Sequence, residues 1–200
     1  ERAILLNRTD KGVCWTTFRS LQKGTQDYFQ KLPGYDTLRL LLAKKAILVE
    51  GPSDELFVQK AYLMKNSRLP VEDGIDVISV RGLSFKRFLE LAVRLKKQVA
   101  VVTDNDGDSG KLEQKYDGYL KNEHEFIKIC YDMDTACNSL EPQILKCNDL
   151  ATMNAILDRK DKTKADLVAY MSNNKTEVAL KLFEAQTTFA VPDYVQRAIQ

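Results

Sequence analysis

Five acidic residues follow apolar runs that predict the strands of a parallel sheet. Glu50 closes the first run, and Asp54 stands four residues later. Asp104 and Asp106 follow the third run, and Glu141 lies beyond the fourth. Open parallel sheets bind ligands beyond the carboxyl ends of their strands, and carboxylates gathered there repel one another unless a cation lies among them. Because oxygen ligands suit Mg²⁺ or Mn²⁺ better than zinc, the pattern predicts a divalent metal site.

Taken one at a time, these acids have ordinary structural explanations. Glu50 fits a solvated loop, and Asp54 fits the first turn of a helix, where a negative charge favours the helix dipole. Residues 104–108 have the composition of a simple turn. It is the common placement at strand ends that favours a site.

Other ligand-binding motifs do not fit the spacing. A calcium loop beginning at Asp104 needs Gly and Glu at the positions that Ser109 and Lys115 occupy here. The P-loop pattern G-x-x-x-x-G-K-[ST] does not occur in the sequence, and the glycine after Glu50 does not begin G-x-G-x-x-G. The sequence therefore gives no support to an EF-hand, a P-loop or a dinucleotide site.

An aspartyl-phosphate enzyme is an alternative use of the same residues. Asp104 would be the nucleophile, Asp106 the acid and Lys175 the ligand of the phosphate. Such enzymes, like response-regulator receivers, usually carry an acidic pair on the first strand, whereas here Glu50 ends that strand. The residues alone leave this alternative open.

A strand–helix–strand series is expected to position these residues. Strands are predicted over residues 45–50, 75–80, 99–103 and 126–130. Helices are predicted over residues 37–43, 53–69, 84–97, 110–120, 150–159, 164–171 and 177–185. Ser53 and Ser84 are the expected N-caps, residues 138–142 are expected to form a loop, and a hairpin is expected around Gly12. The series predicts an α/β fold with a parallel sheet and right-handed crossovers, followed by a helical subdomain.

Composition excludes several classes of protein. The chain has 200 residues and a net charge of +2, which argues against a strongly basic nucleic-acid coat and against an acidic tail protein. No apolar run approaches the length of a membrane span. The four cysteines are widely and irregularly spaced and His124 is the one histidine, so free, reduced core cysteines are expected rather than a zinc site.

Several motifs resemble known families. The runs LVEGPSD at 48–54 and VTDND at 102–106 resemble a Toprim domain, the fold shared by topoisomerases, primases and some nucleases. The run LPGYDTLR at 32–39, with SLE at 139–141 and NKTE at 174–177, resembles the nucleases of the OLD (overcoming lysogenization defect) family. The resemblance therefore covers most of the chain.

The resemblance implies a metal-dependent DNA nuclease that uses two Mg²⁺ or Mn²⁺ ions. The metal ligands of the family would correspond to Glu50, Asp54, Asp104, Asp106, Ser139 and Glu141, and its active-site lysine to Lys175. In this hypothesis the first three hold the ion that activates water, and the other three hold the second ion. Glu50 could instead act as a general acid or base, and Lys175 would stabilise charge in the transition state.

The resemblance also implies an organisation and partners. OLD proteins join an N-terminal ABC-type ATPase to a C-terminal Toprim nuclease, so the chain is expected to be the nuclease part of a longer cytoplasmic protein. The expected partners are DNA, the ATPase domain and a second copy of the protein in a homodimer, and no membrane is expected. The predicted divisions are a lead-in over 1–44, a Toprim catalytic domain over 45–147, and a mainly helical subdomain over 148–200 that contributes Lys175.

A catalytically silent Toprim-like module that binds DNA or a protein partner is the alternative function, although the full carboxylate set argues against it. Basic residues on and beside the second helix of the series could bind phosphates, but a solvated face is the commoner explanation. These residues are Arg81, Lys86, Arg87, Arg94, Lys96 and Lys97. His124 is expected on the surface, and Trp15 in the core rather than on a base-stacking platform.

Overall fold

The chain forms a parallel sheet with helices on both faces and a separate hairpin. The structure is a computed structural model that describes residues 4–31, 34–80, 85–120 and 124–200. The strands are β1 (Ile4–Thr9), β2 (Gly12–Thr17), β3 (Lys45–Val49), β4 (Ile75–Ser79), β5 (Gln98–Val102) and β6 (Ile127–Cys130). The helices are α1 (Lys23–Lys31), α2 (Tyr35–Leu42), α3 (Pro52–Asn66), α4 (Phe85–Leu95), α5 (Ser109–Lys115), α6 (Asp117–Leu120), α7 (Leu140–Cys147), α8 (Leu150–Leu157), α9 (Lys164–Asn173), α10 (Lys175–Glu184) and α11 (Asp193–Ala198).

The four strands of the main sheet lie in the order β4-β3-β5-β6 and are all parallel. Leu48 pairs with Ile78 on one side and with Val101 on the other. The predicted α/β fold with a parallel sheet is confirmed. Because β3 and β5 are the central strands, their carboxyl ends stand side by side, and these are the ends that carry the acidic motifs.

Both faces of this sheet are buried. Ile47 and Val49 pack into a core with Phe57 of α3 and with helices α7 to α11. Ala46 and Leu48 point to the opposite face and pack with α2, α4 and α5. Since successive side chains of a strand alternate between faces, burial of both explains why the strands are continuous apolar runs.

Several helix predictions need correction. Helix α3 begins with Pro52 at its first position and Gly51 as its N-cap, so Ser53 is not the cap. A proline suits this position because the first amide of a helix needs no acceptor. Residues 138–142 are not a simple loop, because Ser139 is the N-cap of α7. The expected N-cap Ser84 lies outside the described residues.

Helices α1, α7 and α11 were not predicted, and beyond residue 148 the described chain contains helices and their connections but no strand. Helices α8 to α10 pack in the same core cluster as the sheet. The proposed divisions at residues 44 and 147 stay predictions.

The hairpin presents an apolar face to solvent. Leu5 is buried against the α4 side of the molecule, whereas its neighbour Leu6 is 63% exposed. Trp15, the cross-strand partner of Leu6, is 67% exposed. The expectation that Trp15 lies in the core is therefore wrong, because β1 and β2 form a two-stranded sheet that has only one covered face.

Lys97 also departs from expectation. It is buried, and its ammonium donates to the backbone oxygens of Leu41 and Ala43 at 3.1 and 2.6 Å. It is thus neither a phosphate ligand nor part of a solvated face, since its charge stabilises the carboxyl end of α2. Lys86, Arg94 and Lys96 are exposed.

The cysteines are free, as predicted, but only Cys130 is buried. His124 is half-buried between the rings of Tyr119 and Phe126 and so is not a fully exposed surface residue. In the part of the chain that the structure describes, no helix has the length and apolar character needed to cross a membrane.

Candidate active site

Glu50 stands directly after β3 and points toward the end of β5. Its Oε1 accepts hydrogen bonds from the Thr103 hydroxyl at 2.6 Å and from the backbone amide of Asp104 at 3.1 Å. Two donors from the neighbouring strand end therefore fix one carboxylate oxygen. The parallel pairing of β3 with β5 is what places these residues side by side.

The turn after β5 is held by Asn105, whose side chain is buried. Its amide nitrogen donates to the backbone oxygens of Asp132 and Asp134 at 2.9 and 3.0 Å, and its oxygen accepts from the Gly107 amide at 2.8 Å. Gly107 has a φ of +79°, a conformation that glycine adopts without strain. Asn105 thereby fixes the backbone that carries the two aspartates of the motif.

Asp54 lies in the first turn of α3, where its Oδ2 accepts a hydrogen bond from the Gly51 amide at 2.9 Å. Its negative charge is stabilised there by the amino end of the helix. The short connection between β3 and α3 therefore brings Asp54 back over the end of the sheet, beside Glu50.

Glu141 and Lys175 form an ion pair at the edge of this group. Glu141 is 5% exposed, and its two oxygens accept from Lys175 Nζ at 3.1 Å and from the Ser139 hydroxyl at 2.9 Å. Lys175 is the first residue of α10, a position where the helix dipole disfavours a cation. Attraction by the neighbouring carboxylates outweighs the unfavourable effect of the helix dipole on the Lys175 ammonium.

The carboxylates act on one another electrostatically. Burial raises the pKa of Asp104 to about 8, and repulsion by Glu50, Asp54 and Glu141 adds to it. Burial likewise raises the pKa of Asp54 to about 6, with further repulsion from Glu50 and Glu141. Burial lowers the pKa of Lys175, but attraction by Glu141, Asp104 and Asp54 reverses this and raises it overall. Three carboxyl groups thus attract one ammonium.

Asp106 is the most exposed of the sequence-predicted ligands. It has a φ of +50°, so its backbone is left-handed, and its side chain is exposed. With Glu50 it raises the pKa of the Tyr116 hydroxyl, after the larger effect of burial. Asp106 therefore borders the group on the Tyr116 side.

These residues fit divalent cations by their chemistry. The atoms that would bind a metal are carboxylate and hydroxyl oxygens, which are the ligands that Mg²⁺ and Mn²⁺ prefer. A cation would also relieve the repulsion that raises the pKa values of Asp54 and Asp104. Within the described ranges, however, no three His, Cys, Asp or Glu side chains already converge on one ion position. Several of the carboxylate oxygens instead accept the hydrogen bonds described above.

Four residues of the site were missed by sequence reasoning. Thr103 and Asn105 lie within the recognised motif and could have been read as supports of the aspartates. Tyr116 and Tyr194 could not have been predicted, because both lie outside the motif and only the folded chain brings them to the site. Tyr194 of α11 is 2% exposed and lies near Asp104 and Asp54, which raise the pKa of its hydroxyl beyond the effect of burial.

Comparison with known proteins agrees with this architecture. Residues 41–106 match the family model described as "Overcoming lysogenization defect protein-like, TOPRIM domain". This segment contains the first four predicted ligands but not Ser139, Glu141 or Lys175. No curated protein sequence matches the chain.

Solved structures of low sequence identity share the fold. The C-terminal region of the Xanthomonas campestris pv. campestris OLD protein is 18% identical, with a TM-score of 0.56, over 80% of this chain and 92% of that one. The C-terminal region of the Burkholderia pseudomallei OLD protein is 18% identical, with a TM-score of 0.57, over 78% of this chain and 95% of that one. Together with the family model, these likenesses confirm the resemblance to the C-terminal Toprim region of OLD proteins.

Proposed function

We propose that this chain, which carries an OLD-like Toprim domain, is a DNA nuclease that hydrolyses phosphodiester bonds with two Mg²⁺ or Mn²⁺ ions. The observation that carries the proposal is the grouping of Glu50, Asp54 and Glu141 around Asp104, with Lys175 paired to Glu141. An ABC-type ATPase domain of the same protein is its proposed partner.

The negative site explains why cations are needed. A DNA phosphate is an anion, and four neighbouring carboxylates would repel it. The proposed ligands of the ions are Glu50, Asp54, Asp104, Asp106, Ser139 and Glu141. Two bound ions would supply an activated water and stabilise the leaving oxygen.

The protein groups have separate parts in this proposal. Thr103 and the Asp104 amide hold Glu50 in place, and Gly51 holds Asp54. Lys175 is half exposed beside Glu141, so its ammonium is placed to stabilise negative charge that develops on the scissile phosphate. The segment that follows residue 148 would thus complete the site by contributing Lys175.

Plasmid cleavage tests the proposal. Supercoiled DNA would be incubated with the protein and Mg²⁺, Mn²⁺, Ca²⁺ or EDTA, and nicked and linear products would be measured. Asp104→Asn and Glu50→Gln remove charge at the site with little change in volume. Glu184→Gln makes the same chemical change on the exposed surface of α10 and is the matched control.

The expected result is cleavage with Mg²⁺ or Mn²⁺ that EDTA abolishes. Both site variants should lose it and Glu184→Gln should keep it. Equal cleavage by wild type and both site variants would contradict the proposal, because a contaminating nuclease explains that result.

A silent Toprim-like module that binds DNA or a partner is the second candidate. The observation that favours it is that no three ligands already converge among the described residues. Retained DNA binding, with no cleavage in any metal either alone or with the ATPase part present, would select this candidate.

A further inference from the structure

Tyr116 ends in a buried hydroxyl that has no partner. The residue joins α5 to α6 and is 0% exposed. In the part of the chain that is described, its hydroxyl is the one buried side-chain polar atom that forms no hydrogen bond. Burial of an unpaired hydroxyl is unfavourable, so native proteins rarely leave one without a function or a missing partner.

The sheet places this hydroxyl on the Glu50 side. Tyr116 belongs to the core cluster of Leu48 and Val101. Because strand side chains alternate, Glu50 and Thr103, each two residues further along, extend from that same face. Their hydrogen bond of 2.6 Å agrees with this placement.

The charges that act on the Tyr116 hydroxyl agree with its placement on the Glu50 side. Burial raises the pKa of Tyr116, and the charge of Glu50 is the next largest cause, followed by that of Asp106. These effects agree with the placement of the Tyr116 hydroxyl on the Glu50 side of the sheet that strand alternation gives.

Glu50 has an acceptor that matches the unpaired donor. Its described hydrogen bonds, from Thr103 and from the Asp104 amide, both go to Oε1. Among the described residues no donor reaches Oε2. The unpaired Tyr116 hydroxyl and the available Oε2 of Glu50 thus lie on the same side of the main sheet.

We propose that Tyr116 is a positioning residue for Glu50, whose Oε2 accepts a hydrogen bond from the Tyr116 hydroxyl, directly or through one water, when the carboxylates hold a divalent cation. This inference rests on the proposed function, since it assigns a support to a proposed ligand. With both oxygens of Glu50 fixed, the carboxylate keeps its orientation, and such supports commonly change metal affinity by about 10-fold or more.

The test is thermal unfolding with increasing Mn²⁺ after EDTA treatment, for wild type, Tyr116→Phe and Tyr131→Phe. Tyr131 donates to Glu113 at 3.0 Å outside the carboxylate group, so Tyr131→Phe is the matched loss of a phenol hydroxyl. In metal-free protein, Tyr116→Phe should unfold at the same temperature as wild type or higher, because it removes an unpaired buried group. Its Mn²⁺ midpoint should rise about 10-fold, and that of Tyr131→Phe should not change.

The outcomes separate the inference from the proposed function. If Mn²⁺ does not stabilise wild type, the metal site itself fails. If Mn²⁺ stabilises wild type and Tyr116→Phe with the same midpoint, only the role of Tyr116 fails. A lower unfolding temperature of metal-free Tyr116→Phe would show a structural partner and would also overturn it. In a Mn²⁺-loaded crystal structure, a Tyr116 hydroxyl bonded to Asp106 and not to Glu50 would overturn the assignment to Glu50.

Discussion

At the scale of single residues, the candidate site contains charged groups in surroundings that disfavour their charges. Lys175 stands at the amino end of α10, where the dipole disfavours it, and it is kept there by the buried carboxylate of Glu141. Asp104 is kept among acids that disfavour its charge. Such opposed charges are typical of functional sites, because stability alone would not select them.

Substitution of Lys175 tests its role in catalysis. Lys175→Met should lower the single-turnover rate of DNA cleavage by about 10²–10³, because it removes the ammonium that pairs with Glu141 beside the proposed metal ligands. The Mn²⁺ midpoint should not rise, since a positive charge beside the ligands opposes metal binding. Lys162→Met, an exposed lysine before α9, is the control. A full cleavage rate in Lys175→Met would contradict the role.

The raised pKa of Asp104 predicts how stability changes with pH. Its folded value of about 8 lies far above the ordinary value of 3.8, so between these values the folded state holds a proton that the unfolded state has lost. Metal-free protein should therefore become less stable as pH rises from about 4 to about 8. Asp54, whose pKa is about 6, acts in the same direction.

Asp104→Asn should remove much of this dependence. In EDTA at pH 8 it should be more stable than wild type by on the order of 1 kcal/mol or more, which is about 2–4 °C in Tm. Near pH 4 the two proteins should differ little. Thermal unfolding over this pH range is the measurement, with Glu184→Gln as the control. Lower stability of Asp104→Asn at pH 8 would contradict the electrostatic interpretation.

At the scale of elements, lysines hold the carboxyl ends of several helices. The Lys60 ammonium donates to the backbone oxygens of Phe183 and Ala185, at 3.0 and 2.6 Å, at the end of α10. Lys181 donates to the Leu157 oxygen at the end of α8. Each lysine satisfies carbonyls that a helix end leaves unpaired and stabilises the negative end of the dipole. Because α10 begins at Lys175, the contact of Lys60 also fixes the helix that carries this proposed site residue.

Substitution of Lys60 tests this contact. Lys60→Met keeps an apolar stem of similar length but loses two charge-assisted hydrogen bonds, so the free energy of unfolding should fall by about 2 kcal/mol. Urea unfolding measures it. Lys86→Met, on the exposed side of α4, should change it by less than about 0.5 kcal/mol. Equal stability of the two variants would show that the Lys60 contact adds nothing.

At the scale of the whole molecule, the main sheet is covered on both faces but the hairpin is not. Ile4, Leu6, Val13 and Trp15 are each more than 60% exposed, and they share one face of the hairpin. The hairpin is anchored through its other face, by Leu5 and by a hydrogen bond of 2.9 Å from Asn7 to the Leu95 oxygen. The stability of the hairpin should therefore depend little on the side chains of its exposed apolar face.

Trp15, the one tryptophan of the sequence, reports on this arrangement. Its fluorescence should resemble that of tryptophan in water and should be quenched readily by iodide. Trp15→Ser should change the free energy of unfolding by less than about 0.5 kcal/mol, whereas loss of a core tryptophan costs about 3–5 kcal/mol. Emission that iodide does not quench would show that the face is covered in solution.

Much of the candidate site could be predicted because the positions of its residues follow from local sequence pattern. The apolar runs of β3 and β5 predict parallel strands, and acids directly after such runs must lie at one edge of the sheet. The sequence alone therefore places Glu50, Asp54 and Asp104 at this edge of the sheet. Gly51-Pro52 could also have indicated the true start of α3.

The sequence by itself determined the α/β class, the strand positions and the carboxylates that follow them, because these depend on side-chain alternation and on short connections. Only the tertiary structure decided that Lys175 pairs with Glu141, that Lys97 is buried, that Trp15 is exposed and that Tyr116 reaches the Glu50 side of the site. Amphipathic residues such as lysine, tyrosine and tryptophan are compatible with either environment. Their burial depends on which distant surface covers them, and that surface exists only in the folded chain.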